Sequence, residues 1–274
     1  MTIVILTEPK NPPRSGPPSA HYEGGRGNLL AEALLAAGHA PVMWWDHPEG
    51  PLLACTPSVV VLRSSAAIQL DRAVALRHRG VPVINDPDEQ RAAGDKRRQA
   101  LVFAGAGVPH PRSADELLAA GAPPTTSVVR KPRRGSSGVG VELHDLGWAM
   151  RHGDEQVVVQ EQVFGPELRV VVVLDRCVGW ATKVLREGEF RGNLAQGATM
   201  HDAPCPSEVA ERVAVNAVAA MGLDYGGVDL IMTVDGPCVV EVNAAPTLWG
   251  PSRDSTEEIL GAMVALLEGA AQPQ

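Results

Sequence analysis

The sequence has no closely spaced cysteines, no excess of positive charge and no long apolar run. None of its four cysteines is in CxxC spacing, and Cys177 and Cys238 lie in apolar strand-like runs, which indicates buried free thiols in a reducing compartment. The formal net charge of -8 argues against a general polyanion binder, such as a non-specific nucleic-acid protein. No apolar run reaches the length of a membrane span, and the start "MTIVILTEPK" lacks the segments of a signal peptide. We therefore expect a cytoplasmic protein whose partners are neither nucleic acids nor membranes.

The length and composition are those of an ordinary globular protein. With 274 residues, the chain can form two or three small domains, each with its own hydrophobic core. Hydrophobic residues make up 45% and charged residues 20%, which is typical of soluble proteins. Because the net charge is negative, any phosphate ligand must be held by a local basic cluster.

The first part of the chain alternates strand and helix patterns. The predicted elements are strands at 2–6, 40–45, 58–63 and 81–85, and helices at 27–38 and 67–80. This order predicts a small parallel sheet of the α/β class. The Pro-, Gly- and Ser-rich connection 7–26 is far longer than the usual ~2–6 residues. Ligands bind at the carboxyl ends of parallel strands, so this loop is either a substrate-binding element or a floppy surface insertion.

The chain changes character near residue 88 and again near residue 164. The patterns after residue 88 predict a basic helix at 93–107, strands at 126–132 and 156–163, a run of strands from 164, a helix at 207–221 and a last helix near 255–268. The later strands add an α+β part to the α/β start. We predict three domains, at residues 1–88, 89–163 and 164–274.

Three polar side chains interrupt the apolar hairpin 227–247, "GVDLIMTVDGPCVVEVNAAPT". Strand alternation places Glu241 and Asn243 on one face and Val240 and Val242 on the other. A three-residue loop, which we predict, would place Asp229 opposite them on the same face. Converging carboxylate and amide oxygens favour a hard cation, Mg²⁺ or Mn²⁺, although a solvated polar face is the alternative.

A glycine-rich loop follows the strand at 126–132. Consecutive backbone N–H groups from Gly135 to Gly138, with the hydroxyls of Ser136 and Ser137, can cradle phosphate oxygens. The loop is not a P-loop, because its lysine precedes the glycines and no GK[ST] follows. A basic cluster surrounds it and favours a nucleoside triphosphate; its members are Lys96, Lys131, Arg133 and Arg134.

The segment after the strand at 156–163 has polar residues suited to the rest of a nucleotide. Glu161, Gln162 and Val163 form a hinge whose backbone can hydrogen-bond an adenine edge, and Glu167 is placed for ribose hydroxyls. Arg169 stands in an apolar strand, so it either faces a site or makes a structural salt bridge.

Three further polar residues lie in "KVLREGEFRGNLAQGA", residues 183–198. Arg191 and Asn193 alternate on one face, a strand length after Lys183. They form either a clamp for phosphate and substrate or a polar hairpin tip.

Five motifs, taken in order, resemble those of the ATP-grasp superfamily and, within it, the RimK-type amino-acid ligases. They are "DK" (95–96), "VVRKPRRGSSGVGV", "VQEQVFGPELRVVVV", "FRGNLAQGA" and "GVDLI…GPCVVEVNAAPTL", and they extend over roughly residues 60 to 260. The resemblance implies an ATP-grasp fold, with a Rossmann-like N-terminal domain, a small central domain and a β-rich C-terminal domain, and ATP between the last two. Two residues depart from the pattern: Glu167 replaces an aspartate, and Lys183 stands where an arginine is usual.

The resemblance also implies an activity, ATP-dependent ligation of a carboxylate to an amine. Lys96 and Lys131 would contact the phosphates, and Arg191 and Asn193 would reach the γ-phosphate and the substrate. Arg169 and Arg191 would stabilise an acylphosphate intermediate and the oxyanion that follows it. Two Mg²⁺ ions, with Mn²⁺ as a substitute, would be held by Asp229, Glu241 and Asn243.

The substrates are less constrained by the sequence than the nucleotide. Arg63 and a loop cluster of His21, Tyr22 and Arg26 are the candidates to contact the acceptor, and a surface arginine with a disordered loop is the alternative. We expect an amino-acid amine and a small-molecule or peptide carboxylate as partners, and a homo-oligomer. Cyclisation or modification of a small natural product, and a regulatory module that binds ATP without catalysis, are the alternative functions.

Overall fold

The computed structural model describes residues 1–7, 28–44, 56–135, 138–184, 198–248 and 250–272. The first part forms a parallel four-stranded sheet in the order β2-β1-β3-β4, as predicted. Its elements are β1 (Thr2–Leu6), α1 (Asn28–Ala36), β2 (Ala40–Trp44), β3 (Val59–Leu62), α2 (Ala67–His78) and β4 (Val83–Ile84). No helix in the described ranges is long and apolar enough to span a membrane.

The middle of the chain contains more elements than the sequence patterns predict. The basic helix predicted at 93–107 is α4 (Lys96–Ala106), and a separate short helix, α3 (Pro87–Ala93), precedes it across Gly94 and Asp95. An antiparallel sheet in the order β6-β5-β7 follows, with a small core against two short helices. Its elements are α5 (Ala114–Ala119), β5 (Ser127–Pro132), β6 (Glu142–Asp145), α6 (Leu146–Arg151) and β7 (Val157–Glu161). The patterns missed α3, α5, β6 and α6.

The last part forms a five-stranded antiparallel sheet in the order β10-β9-β8-β11-β12. Its elements are β8 (Glu167–Val173), β9 (Arg176–Val184), β10 (Thr199–His201), α7 (Glu208–Ala220), β11 (Tyr225–Thr233), β12 (Gly236–Asn243) and α8 (Arg253–Ala270). One face packs against α7 through an apolar core. On the other face, Val171 and Val173 pack with α8 and the N-terminal sheet, and the residues further along the strands are polar.

The β11–β12 hairpin corrects the predicted loop. Thr233 pairs with Gly236, so the loop has two residues rather than three. A β-bulge then shifts the register: Leu230 pairs with Val239, but Asp229 pairs with Glu241. The extra residue is Val240, which lines the cleft with Glu241 and Asn243 instead of lying on the opposite face with Val242 as predicted. The bulge therefore does what the odd-length loop was expected to do.

The N-terminal and C-terminal sheets share one core and a buried polar contact. The Asn85 amide donates to the carbonyls of Tyr225 and Ala244, and its oxygen accepts from the Asp224 and Tyr225 N–H groups. An asparagine side chain can donate two hydrogen bonds and accept two, so these four bonds use its full capacity, and all four cross the junction between the sheets. This contact fixes the end of β4 to the start of β11 and to the loop after β12.

Candidate active site

A cleft of about 1170 Å³, which includes space open to solvent, separates the three-stranded sheet from the polar face of the five-stranded sheet. It brings together most of the residues that the sequence indicated for a nucleotide and its metal. They are Lys96, Lys131, Gly135, Gly138, Glu161, Gln162, Val163, Glu167, Arg169, Lys183, Asp229, Glu241 and Asn243. The other predicted site residues except Arg63 lie outside the described ranges: His21, Tyr22, Arg26, Ser136, Ser137, Arg191 and Asn193.

One part of the cleft, which we call the closed half, is an ion-paired network of Glu167, Arg169, Lys183 and Asp229. Arg169 lies opposite Asp229 across β8 and β11, and it donates from Nε at 2.5 Å and from Nη2 at 2.9 Å to the two carboxylate oxygens. Lys183 Nζ lies 2.8 Å from Asp229 Oδ1 and 2.5 Å from Glu167 Oε1. Each charge in this half therefore has an opposite charge in contact.

The closed half shifts the pKa of both carboxyls. Burial favours the neutral form of Asp229, but Arg169 and Lys183 outweigh burial and lower its pKa. Burial raises the pKa of Glu167, and the charge of Lys183 offsets this only in part. Asp229 thus stays ionised beside its two cations.

The remaining part, the open half, contains Lys96, Lys131, Glu241 and Asn243. Lys96 Nζ donates to the Gly135 carbonyl at 2.9 Å and lies 3.5 Å from Glu241 Oε1, so this ion pair is loose. The Glu241 side chain is 32% exposed, against 15% for Asp229. Burial lowers the pKa of Lys131 to about 8, although Glu241 opposes that shift. The open half therefore holds charged groups that are available to a ligand.

The oxygen donors on the sheet face suit a hard cation that a nucleotide brings with it. Asp229 lies opposite Glu241, and Asn243 lies one row further along, opposite Gly227. Among the residues with described placement, no three His, Cys, Asp or Glu side chains gather into a metal cluster. Mg²⁺ is commonly held by one or two carboxylates together with substrate phosphates, rather than by a complete protein cage. Two carboxylates and one amide fit that mode.

Gly227 is a site residue that the sequence did not single out. A Cβ atom at this position would lie 2.6 Å from Pro246 Cβ and 3.1 Å from Arg169 Nη1. Only a glycine therefore lets the Arg169 guanidinium lie over β11 beside the row of Asn243. The two other nitrogens of that guanidinium are bound to Asp229, so Nη1 is the one directed to this space.

The hinge between the two sheets uses its side chains for structure. Glu161 accepts hydrogen bonds from the Arg112 backbone N–H and side chain, and Gln162 accepts one from the Ser127 hydroxyl. The backbone N–H groups of Glu161 and Gln162 are also bound, to the Arg112 and Ser127 carbonyls. Among the hinge residues, Val163 is then the one whose N–H can contact an adenine edge.

The basic cluster around the glycine-rich loop is only partly available for phosphate. Arg133 donates to both carboxylate oxygens of Asp95 at 2.8–2.9 Å, and Arg134 lies 3.2 Å from the same carboxylate. The sequence grouped these arginines with Lys96 and Lys131 as phosphate-attracting charges. The structure pairs Arg133 with Asp95, so much of the positive charge of Arg133 is balanced within the protein. A helix-capping aspartate before a basic helix was the signal that could have indicated this role.

Arg63, predicted to contact the acceptor, is fully buried at the carboxyl end of β3. Its guanidinium donates to the Pro246 carbonyl and to the Tyr225 hydroxyl, and it lies 5.6 Å from the centre of the Tyr225 ring. The described contacts hold the loop after Asn243 against the N-terminal sheet.

Comparisons with known proteins agree with this architecture. A family model for the RimK-like ATP-grasp domain matches residues 125–267. The ribosomal protein bS6–L-glutamate ligase of Escherichia fergusonii is 29% identical over 238 residues, which cover 78% of each chain. A solved structure of the ATP-grasp ligase PsnB with a minimal precursor has a TM-score of 0.70 at 21% identity, covering 98% of this chain and 99% of PsnB. The crystal structure of the D-cycloserine synthetase DcsG has a TM-score of 0.70 at 22% identity, covering 97% and 100%.

The two facing sheets and the charged cleft between them define an ATP-grasp ligase, an enzyme class that uses ATP and Mg²⁺, forms carbon–nitrogen bonds and releases ADP. Within that class, the chain belongs to the RimK-like ATP-grasp family, whose model matches more than half of it.

Proposed function

We propose that this enzyme joins the amine of an amino acid to the carboxylate of a peptide, protein or small molecule through an acylphosphate. The observation that carries the proposal is the cleft itself, in which two lysines face two carboxylates and an amide between the two sheets. A site of this composition suits phosphoryl transfer, which asks mainly for positioning and for neutralisation of charge.

The nucleotide would lie along the cleft with its phosphates in the open half. Lys96 and Lys131 supply positive charge at that end, and the backbone of Gly135 and Gly138 allows close approach. We assign the adenine to the backbone of 161–163 at the other end of the cleft. Glu167, which lies between the two ends, is the group assigned to the ribose.

Bound Mg²⁺, which we propose as two ions with Mn²⁺ as a substitute, would neutralise phosphate charge. Of the two carboxylate ligands, Glu241 has the more exposed side chain, at 32% against 15% for Asp229, and Asn243 is the third ligand. Asp229 also fixes Arg169 through two hydrogen bonds, so the remaining nitrogen of Arg169 is held ready over Gly227. That donor would stabilise the acylphosphate and the tetrahedral oxyanion. We assign Arg191 and Asn193 to the γ-phosphate and the substrate on the basis of the family motif alone.

The names of similar proteins support the substrate classes. One relative is named a ligase of L-glutamate to a ribosomal protein, and PsnB was solved with a minimal precursor. We therefore propose an L-amino acid, with glutamate tested first, and a peptide or protein carboxylate as acceptor.

A phosphate-release screen tests the proposal. Amino acids are crossed with candidate carboxylates in the presence of ATP and Mg²⁺, and the mass of any product is measured. Ligation predicts a product equal to the two substrates minus water, together with one ADP for each bond. Turnover with no product mass of that kind, or no turnover with any pair, would contradict the proposed reaction.

The same mass measurement separates a second candidate, cyclisation of a small natural product. The shared fold of a D-cycloserine synthetase is the observation that favours testing it. An internal amide would give the mass of one substrate minus water, and no separate amino acid would be needed as the amine substrate.

A further inference from the structure

Asp95 lies at the start of α4, directly before Lys96 of the cleft, and its side chain contacts Arg133 at the end of the strand that leads into the glycine-rich loop. Its side chain is only 3% exposed, although it carries a full negative charge close to a site for a polyanion. Burying a charge is costly unless it is paired, and a negative charge here opposes phosphate binding. We therefore ask which contacts hold a buried negative charge at this place.

The two carboxylate oxygens of Asp95 have largely separate partners. Oδ1 accepts from the backbone N–H groups of Arg97 and Arg98 and so caps α4. Oδ2 lies 2.7 Å from Arg133 Nη2 and 3.2 Å from Arg134 Nη2, while Arg133 Nε reaches both oxygens. A helix cap needs only the first oxygen. The second oxygen is directed entirely to the end of the strand that leads into the loop.

Further contacts join the same two segments. The Lys96 N–H donates to the Arg133 carbonyl at 2.9 Å, and Lys96 Nζ donates to the Gly135 carbonyl at 2.9 Å. On its other side, the Arg133 N–H donates to the Gln156 carbonyl, which ties it to the start of β7. The first turn of α4 and the entry to the loop are thus held together at three points within three residues of each other.

We propose that Asp95 is a positioning residue for the nucleotide phosphates: it clamps the loop entry to α4 through Arg133, so that Lys96 and the backbone at Gly135 face the same phosphates. The inference rests on the ATP site of the proposed function. It assigns the second carboxylate oxygen to ligand binding through Arg133 and the first to the helix. Asp95 touches no substrate itself; it acts through Lys96 and the loop.

Replacing Asp95 with asparagine separates the two duties, because an asparagine oxygen can still cap α4 while its amide cannot accept from Arg133. The matched control is Glu142→Gln, which removes an exposed carboxylate partner of Arg130 on the same small sheet. Arg133→Gln removes the arginine partner of Asp95 on the loop side, and the hydrogen bonds from Asp95 to the first turn of α4 remain. Affinity for ATP and for adenosine is measured for each variant by isothermal titration, with the unfolding temperature followed by circular dichroism.

In both clamp variants, Asp95→Asn and Arg133→Gln, we expect ATP affinity to fall by about tenfold to a hundredfold, the loss for a charged hydrogen bond. Adenosine affinity should stay unchanged, because the clamp acts on the phosphate end of the cleft. In steady-state kinetics the KM for ATP rises more than kcat falls. The double variant should lose little more than either single variant, since both remove the same contact.

Two results would overturn the clamp. The first is unchanged ATP affinity in both clamp variants. The second is an equal loss of ATP and adenosine affinity with a lower unfolding temperature, which would make Asp95 a structural cap alone. Failure of the proposed function looks different: the wild-type protein would then form no ligation product from any substrate pair, whereas the clamp is measured by ATP and adenosine binding, which needs no second substrate.

Discussion

The two halves of the cleft carry similar charged groups but hold them in different ways. In the closed half, Asp229 is bound by Arg169 and Lys183 at 2.5–2.9 Å and is well buried. In the open half, Glu241 has one lysine at 3.5 Å and is about twice as exposed. The two carboxylates lie directly opposite each other on neighbouring strands. Their difference in exposure and pairing therefore comes from the side chains around them and not from their positions in the sheet.

This difference indicates a division of labour. A network with every charge paired is rigid, and breaking it leaves an uncompensated charge in a buried place. A loose pair gives up its partner more easily than a tight one, so we propose that ligand binding moves Lys96 to phosphate and Glu241 to a metal ion. In this proposal the closed half stabilises the site, and the open half exchanges its partners for the ligand.

Replacing Glu241 with glutamine is expected to have the largest effect on activity. A neutral amide weakens metal binding in the open half, and loss of metal stabilisation worth several kcal/mol reduces turnover by at least about a hundredfold. The free energy of unfolding should change little, because the side chain is partly exposed and loosely paired. Turnover at varied Mg²⁺ and urea unfolding measure the two quantities. Wild-type turnover in this variant would refute the metal assignment.

Replacing Asp229 with asparagine tests the closed half. The change leaves Arg169 and Lys183 short of a negative charge, and breaking a buried pair costs about 3–5 kcal/mol of unfolding free energy. The control is Asp71→Asn, which removes an exposed partner of Arg91 and should cost little. Urea unfolding of both variants gives the comparison. An equal, small loss in the two variants would show that the closed half stabilises the protein no more than an exposed ion pair does.

The sequence alone identified most of the charged residues that line the cleft, because each of them stands out from its own neighbours in the chain. Asp229, Glu241 and Asn243 stand out in apolar strands whatever the fold around them, and the order of motifs around Lys96 and Lys131 narrowed the class. The parallel N-terminal sheet was likewise confirmed, since its strands are continuous apolar runs that need burial on both faces.

What the sequence did not indicate depends on contacts between distant segments. A two-residue turn with a bulge at Val240 takes the place of the predicted three-residue hairpin loop. The position of the bulge is set by packing across two strands rather than by the turn residues. The pairing of Arg133 with Asp95, 38 residues away, removed a cation from the predicted basic cluster. Gly227 matters because Pro246 and Arg169 meet over it, which no local pattern shows.

Lys131 offers the smallest and most specific test, because it is the buried cation of the open half. Its pKa of about 8 means that its charge disappears as pH rises from 7 to 9. If the charged form binds phosphate, ATP affinity falls about tenfold over this range, since bound phosphate favours the proton. Lys131→Arg keeps a positive charge over the whole range, so its ATP affinity should not change with pH. Lys131→Met has no charge to lose, so its ATP affinity should be low at every pH. Titration of the three proteins at several pH values measures this.

Stability supplies an independent check on the same group. In the unfolded chain Lys131 regains a pKa near 10.5, so between pH 8 and 10.5 the unfolded chain binds more protons than the folded one. The free energy of unfolding contributed by this residue therefore rises with pH in that window, whereas ATP affinity falls. Lys131→Met should remove both trends. Two results would contradict a phosphate contact by Lys131. The first is a wild-type ATP affinity that does not change with pH, and the second is a pH dependence that is the same in Lys131→Met. Lys96 would then be the cation of the open half that contacts phosphate.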